Sequence, residues 1–339
     1  MNTLDEAAVD AAASERPFSG VVTIDVGDER VFEKTYGFAH RALQVPITPD
    51  MQFGLASGNK MFTALAVMRL VEEGHLLPAQ RVRDILGDDL PLIDDAVTIE
   101  HLLTHTSGIG DYLDEEADWD VDDYILPVPV HTLTTAHAFL PVLDGFPQRA
   151  TPGDGFTYCN GGYMVLAVVL ERVTGEAHHD SVRRLVLDPA GLEHTGFLRL
   201  DELPAGAAVG YVYDHGDRAN TLHLPALGNG DGGAFATASD LHRFWRAFFA
   251  GKIVAPATVE QMLLPRFEVP EEDARFGLGV WLHATGAAAF MEGYDAGVSM
   301  RSTHIPAAAT TATVLGNSSE GAWPVIGVME EWVAAELRQ

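Results

Sequence analysis

The residues whose types and spacing could do chemistry are Ser57 and Lys60, in the stretch Phe53-Gly-Leu-Ala-Ser57-Gly-Asn-Lys60. Apolar residues at Met61, Phe62, Leu65, Met68, Val71 and Leu76 follow near helical spacing, which predicts a helix from about Ser57 to Gly74. Residues three apart share a helix face, so Lys60 can bring its amine over the Ser57 hydroxyl. The helix dipole and free backbone N–H groups favour negative charge there. A lysine desolvated against an apolar wall loses proton affinity, and a neutral amine beside a hydroxyl can take its proton. The same four residues also fit an N-cap serine with a solvated lysine. Only Lys34, Lys60 and Lys252 are lysines, against eighteen arginines, which sets Lys60 apart from generic surface charge.

The elements that must position this pair come from a chain of 339 residues, long enough for one large domain or two that share an interface. Hydrophobic content of 47% fits a soluble globular protein. No apolar run approaches the roughly 20 residues that span a bilayer. Residues 1–15 carry acids and no basic or apolar leader pattern, and Cys159 is the only cysteine. These features set the expectation of a cytoplasmic protein and exclude an intrachain disulfide. A formal net charge of −28 argues against nucleic acid and anionic membrane as partners, because such a surface repels phosphates. Between Asp84 and Gln148 there are fifteen acids and no lysine or arginine. That stretch fits either a solvated acidic face or a mouth that attracts cationic or neutral substrates and repels anions.

Two strand-like runs, 20–25 and 30–36, flank a hairpin turn at Val26-Gly-Asp-Glu. A short helix is expected over 4–14. From about 78 to 200 the pattern is helical with long loops. Residues 98–105 form a short helix with His101 and His105 at i and i+4, a spacing that can hold zinc; with no HExxH glutamate and no third ligand nearby, the metal reading is rejected. Residues 111–129 are acidic, carry Tyr112, Trp119 and Tyr124, and read as a lid, a pocket wall or a surface excursion, which makes Tyr112 a candidate substrate contact. Residues 163–173 read as a buried helix ending at Gly175. Gly228-Asn-Gly-Asp-Gly-Gly233 matches G-x-G-x-x-G by letters but follows no convincing strand, so it reads as a tight loop before a helix over 239–250. Strands are expected at 276–283, 287–292, 298–301 and 310–315, with a closing helix over 324–337. Strands at both ends with helices between imply an α/β (α+β) fold in which 1–77 and 234–339 complete one antiparallel sheet around a mainly helical insertion, 78–233.

Taken together, Ser57-x-x-Lys60, Tyr158-Cys-Asn160 and Met291-Glu-Gly293 have the order and rough spacing of the three active-site elements of the penicillin-recognising serine enzymes. The surrounding stretches, Thr98-Ile-Glu-His-Leu-Leu-Thr-His-Thr-Ser-Gly108, Tyr158-Cys-Asn-Gly-Gly-Tyr163 and Gly232-Gly-Ala-Phe-Ala-Thr-Ala-Ser-Asp-Leu241, resemble the β-lactamase-related serine hydrolases. That group spans class C β-lactamases, D-amino-acid peptidases and family VIII carboxylesterases, and the resemblance runs from about Phe18 to the C-terminus. It implies a class C β-lactamase-like fold with the active site between sheet and insertion. The competing hydrolase motif G-x-S-x-G is absent.

The resemblance implies that Ser57 is the nucleophile, forming an acyl-enzyme, and that Lys60 and Tyr158 share the proton work. A phenol ordinarily titrates near 10, and a cationic lysine alongside lowers that. The residues do not single out which of the two is the base. Asn160 is expected to hold Lys60 or a substrate carbonyl. The oxyanion hole is expected from the backbone N–H groups of Ser57 and Tyr294. The third element departs from the family: where Lys-Thr-Gly or His-x-Gly is usual, Met291 takes the cationic position with Glu292 beside it and Gly293 after it. Loss of that cation removes the attraction for a substrate carboxylate, which counts against β-lactam turnover and carboxypeptidase action. Glu292 either points into the pocket and repels carboxylates or faces solvent.

The leading expectation is an esterase or amidase on a small neutral or cationic acyl substrate, with no cofactor and no metal. An acyltransferase, a β-lactamase or D-aminopeptidase, and a non-catalytic binding protein on the same fold are the alternatives. A homo-oligomer is left open.

Overall fold

The computed structural model describes residues 3–115 and 120–338. Its centre is an eight-stranded antiparallel sheet ordered Glu29–Tyr36, Gly20–Val26, Thr310–Gly316, Val298–Ile305, Ala289–Asp295, Trp281–His283, Ala274–Phe276 and Phe267–Val269. The N-terminal hairpin turns at Gly27, whose φ of +58° suits glycine. It then pairs with the last strand, Val21 opposite Leu315 and Val22 opposite Val314. Side chains alternate between two apolar layers. Val22, Ile24 and Val314 pack with the helices Glu6–Glu15 and Trp323–Glu336 on one face. Val21, Met300 and Leu315 pack with Lys60–Glu72 and Ala238–Phe249 on the other. Both faces are covered, so a one-residue slip would exchange the two cores.

Two strand expectations need correction. Residues 276–283 are not one strand: Ala274–Phe276 and Trp281–His283 run antiparallel, with Trp281 opposite Phe276. Gly279 at φ +73° permits the reversal, and the Gly277 N–H donates to Val280 O at 2.9 Å. The short strand Phe267–Val269 was not foreseen, because Pro265 and Pro270 bracket it with turn signals.

The predicted helix at Ser57 begins as a 3-10 turn, Ala56–Asn59, and continues as the α-helix Lys60–Glu72. Gly74 follows at φ +76°. Its residues from Lys60 to Met68 are all buried, so it runs through the core rather than along a surface. A small three-stranded sheet, Phe53–Gly54 beside Ala234–Ala236 beside Gly196–Phe197, ties the segment before Ser57 to the middle of the chain. The middle also supplies Ile99–Leu103, capped by Thr98, and Asn160–Thr174, closed by Gly175 at φ +71°. No helix among the described residues is long and apolar enough to cross a membrane.

Trp245 anchors the second core layer. It has no exposed surface, and its Nε1 donates to Ser302 Oγ at 3.1 Å. Trp245→Ala should cost about 3–5 kcal/mol through lost burial and the cavity it leaves. Denaturant unfolding measures this as a lower midpoint at similar slope; a shift under about 1 kcal/mol would contradict the packing described.

Candidate active site

The backbone delivers Ser57 under local strain. Ala56 takes φ +43°, a conformation unusual outside glycine, so the chain turns sharply just before the hydroxyl. Two glycines allow neighbouring segments to close on this turn. A Cβ on Gly293 would lie 2.0 Å from Leu55 O, so only glycine lets the Ala289–Asp295 strand run against it. A Cβ on Gly232 would lie 3.3 Å from the Ala56 backbone, which brings in the 228–233 loop.

Lys60 Nζ sits 2.8 Å from Ser57 Oγ, 2.7 Å from Asn160 Oδ1 and 2.8 Å from Asp231 O. The last two can only accept, so they take two amine hydrogens. At Ser57 the amine then donates if charged, or accepts the hydroxyl proton if neutral. Burial lowers the Lys60 pKa, opposed by the charges of Asp231, Glu115, Asp111 and Asp295. The solvated-lysine alternative is thereby excluded: Lys60 is 5% exposed.

Tyr158 comes from the loop before Asn160–Thr174 and lines one small space with Ser57 and Lys60. Its ring stacks on His105 at 4.3 Å and faces Trp281 at 6.3 Å, with Lys60 Nζ 4.9 Å from its centroid. The expected lowering of its pKa is corrected. Burial pushes the phenol well above its ordinary value and Glu115 adds to this, while the neighbouring Ser57 hydroxyl opposes. Loss of water outweighs the lysine, whose own charge burial disfavours.

Asn160 opens its helix. Its N–H and that of Gly161 donate to the two Asp111 oxygens at 2.6 and 2.8 Å, so a buried carboxylate anchors the helix start. Burial pushes the Asp111 pKa up to about 6 against those N–H groups. Tyr112 donates to Asp231 Oδ2 at 2.5 Å, and Tyr124 to the Tyr112 carbonyl at 2.5 Å. With Leu113 and Leu126 these tyrosines line a cavity of about 620 Å³, so residues 111–115 and 120–129 include a pocket wall. Trp119 lies outside the described residues. Among the described residues, Ser57 and Tyr294 also line the cavity, with four carboxylates, Glu115, Asp120, Asp231 and Asp295, and no lysine or arginine.

The third element divides. Met291 is buried and shares with Ser57, Lys60 and Tyr158 a small space that Asp231 does not line. Glu292 lines that space too, but it neither stands as a free repelling charge nor faces open solvent. Its Oε2 accepts from Arg301 Nη1 at 2.8 Å, and Arg301 also reaches Glu330 and lies 3.9 Å over the Phe290 ring. Burial raises the Glu292 pKa, opposed by Arg301. The Tyr294 side chain turns outward to Glu320 at 2.5 Å.

Two residues escaped the sequence reading. Asp231 lay in a glycine stretch read only as a tight loop before a helix, yet the carbonyls of Asn229, Gly230 and Asp231 hold Asn59, Thr63 and Lys60. His105 was weighed only as half of a metal pair. His101 instead accepts the Thr98 N–H at 3.3 Å in a cap, and His105 Nδ1 accepts the Cys159 N–H at 3.0 Å beneath Tyr158. Burial lowers the His105 pKa well below its ordinary value, so the ring is neutral there.

The chain belongs to the β-lactamase family, whose model matches residues 6–326. It is thus a β-lactamase-fold member of a serine-hydrolase family that includes esterases, amidases and penicillin-binding proteins. It is 34% identical over 222 residues to esterase EstB of Burkholderia gladioli, covering 61% of this chain and 53% of that one. It is 27% identical over 308 residues to a D-aminopeptidase of Brucella anthropi, covering 84% and 54%. The chain thus spans about half the length of these curated relatives. The crystal structure of a penicillin-binding protein from Bacillus halodurans superposes with a TM-score of 0.87 at 34% identity, covering 96% of this chain and 99% of that one.

The Asp111 anchor gives a pH-dependent expectation. Its folded pKa of about 6 stands above the ordinary value of 3.8, so between those values the folded protein holds a proton that the unfolded chain has lost. The contribution of this group to stability is therefore full below pH 3.8 and is lost as pH rises through 6. Asp111→Asn, which turns one acceptor toward an N–H as a donor, should destabilise by about 1–3 kcal/mol. The gap between wild type and variant should narrow from pH 4 to pH 7 in urea titrations. A gap that widens over that interval would contradict the burial argument.

Proposed function

We propose that this chain is a serine hydrolase that forms an acyl-enzyme on Ser57, an esterase or amidase for small neutral or cationic acyl substrates. The observation that carries this is the buried Lys60 amine 2.8 Å from Ser57 Oγ. Burial favours the neutral amine, which takes the Ser57 proton as Oγ attacks the substrate carbonyl. The oxyanion settles between the N–H groups of Ser57 and Tyr294. Tyr158, which burial keeps protonated, gives its hydroxyl proton to the leaving group and recovers one from Lys60. Water then resolves the ester and the steps run in reverse. Opposite shifts on the two groups favour Lys60 as base and Tyr158 as acid.

The substrate class follows from charge. Among the described residues four carboxylates and no lysine or arginine line the cavity, and Met291, in the smaller space beside Ser57, stands where the family usually has a cation. A free carboxylate finds no guanidinium or ammonium there to pair with, other than Lys60 itself. An ammonium or neutral group does not meet that penalty, which accords with a D-aminopeptidase and an esterase among the relatives.

Ser57→Ala should abolish turnover of a chromogenic short-chain ester and labelling by a fluorophosphonate, and Lys60→Ala should lower the rate by about 10²–10⁴. Equal hydrolysis by wild type and Ser57→Ala would remove the reading. Among matched esters, one with an ammonium on the acyl group should exceed its carboxylate counterpart in kcat/KM by about tenfold or more, less so at high salt. A preference for the carboxylate would overturn the substrate assignment.

A further inference from the structure

The side chain of Asn160 has no freedom in how its amide faces. Its Oδ1 accepts from Lys60 Nζ at 2.7 Å, while its Nδ2 donates to Leu113 O at 3.0 Å and to Glu115 Oε1 at 2.8 Å. A carboxamide nitrogen has two hydrogens, and both are taken. Turned by half a rotation, the amide would aim N–H groups at an amine and its oxygen at two acceptors, so all three contacts would become unfavourable. Of the two groups that set the direction, Leu113 O is neutral and Glu115 is a carboxylate. A bond to an ionised acceptor is about twice as strong as one between neutral groups. Glu115 sits in the pocket wall, so wall and catalytic lysine are joined through one amide.

We propose that Glu115 is a positioning residue that fixes the Asn160 carboxamide with Oδ1 toward Lys60, and thereby holds the Lys60 amine on Ser57 Oγ. The proposal rests on Ser57 and Lys60 acting as nucleophile and base. One consequence revises the part expected of Asn160. Its N–H groups are committed to Leu113 O and Glu115 Oε1, so a substrate carbonyl reaches them only by displacing one of these acceptors.

Position and charge are separable. Glu115→Gln keeps an acceptor for Nδ2 without the charge, and Glu115→Ala removes both. The groups facing Lys60 are the acids Asp231, Glu115, Asp111 and Asp295, the rings of Tyr158 and Tyr163 at 4.9 and 5.9 Å, and neutral His105 behind Tyr158. Without the Glu115 charge, burial of the amine is opposed by one acid fewer. The rise of rate with pH should then move to lower pH in both variants.

The test is the rate of Ser57 labelling by a fluorophosphonate against pH, with kcat and KM for the chromogenic ester. Glu115→Ala should lower labelling rate and kcat by about 10- to 100-fold. Glu115→Gln should stay within about threefold of wild type. Glu115→Ala as fast as wild type at every pH, or Glu115→Gln as slow as Glu115→Ala, would overturn the proposal. A crystal structure of Glu115→Ala gives a readout free of activity: the Lys60–Asn160 contact should be lost. Its retention at the wild-type 2.7 Å would also overturn the proposal. Absence of any label on the wild type would defeat the hydrolase reading alone, and the crystal structure would still decide the role of Glu115.

Discussion

An amine taken out of water must be hydrogen-bonded on every side or give up its proton, and Lys60 is where this chain meets that constraint. Its surroundings supply two strict acceptors and one hydroxyl, so the amine is satisfied whether charged or neutral. Four acids within electrostatic reach prevent burial from acting unopposed. The lowered Lys60 pKa results from these opposing pressures rather than from any single contact.

The rest of the fold serves that geometry. The buried helix Lys60–Glu72 carries the amine, and the strained turn at Ala56 presents the hydroxyl. Glycine at 293 lets the Ala289–Asp295 strand press against that turn, and the 228–233 loop supplies a carbonyl. Asp111 pins the start of the Asn160–Thr174 helix, so Asn160 arrives from a third direction. Residues more than a hundred positions apart converge because the sheet and the buried helices share one core layer, against which the pocket wall sits on a cluster of its own around Tyr112 and Phe139.

Much of this was legible in the sequence. The hairpin at Gly27, the buried helix after Ser57 and the closing helix each carry strong periodicity or turn chemistry. The Ser-x-x-Lys and Tyr-x-Asn spacings likewise marked Ser57, Lys60, Tyr158 and Asn160, which lie together in space. What was not legible depends on contacts between distant segments. Asp231 acts through its backbone carbonyl, and no side-chain pattern announces a carbonyl. His105 matters because a tyrosine from residue 158 lies on it. The direction of the Tyr158 shift required knowing how little water reaches the phenol. Glu292 was ambiguous because its compensating partner, Arg301, sits on the next strand and only pairing register reveals it.

The most direct measurement is an NMR titration of the chain labelled at lysine side chains, with Lys60→Arg to assign the signal. Three lysines give three resolvable amines. If burial dominates, the Lys60 midpoint falls below the ordinary lysine value of 10.5 and moves when Ser57 is acylated. A Lys60 signal that titrates at or above 10.5, unmoved by modification of Ser57, would contradict the claim that this amine is poised to take the serine proton.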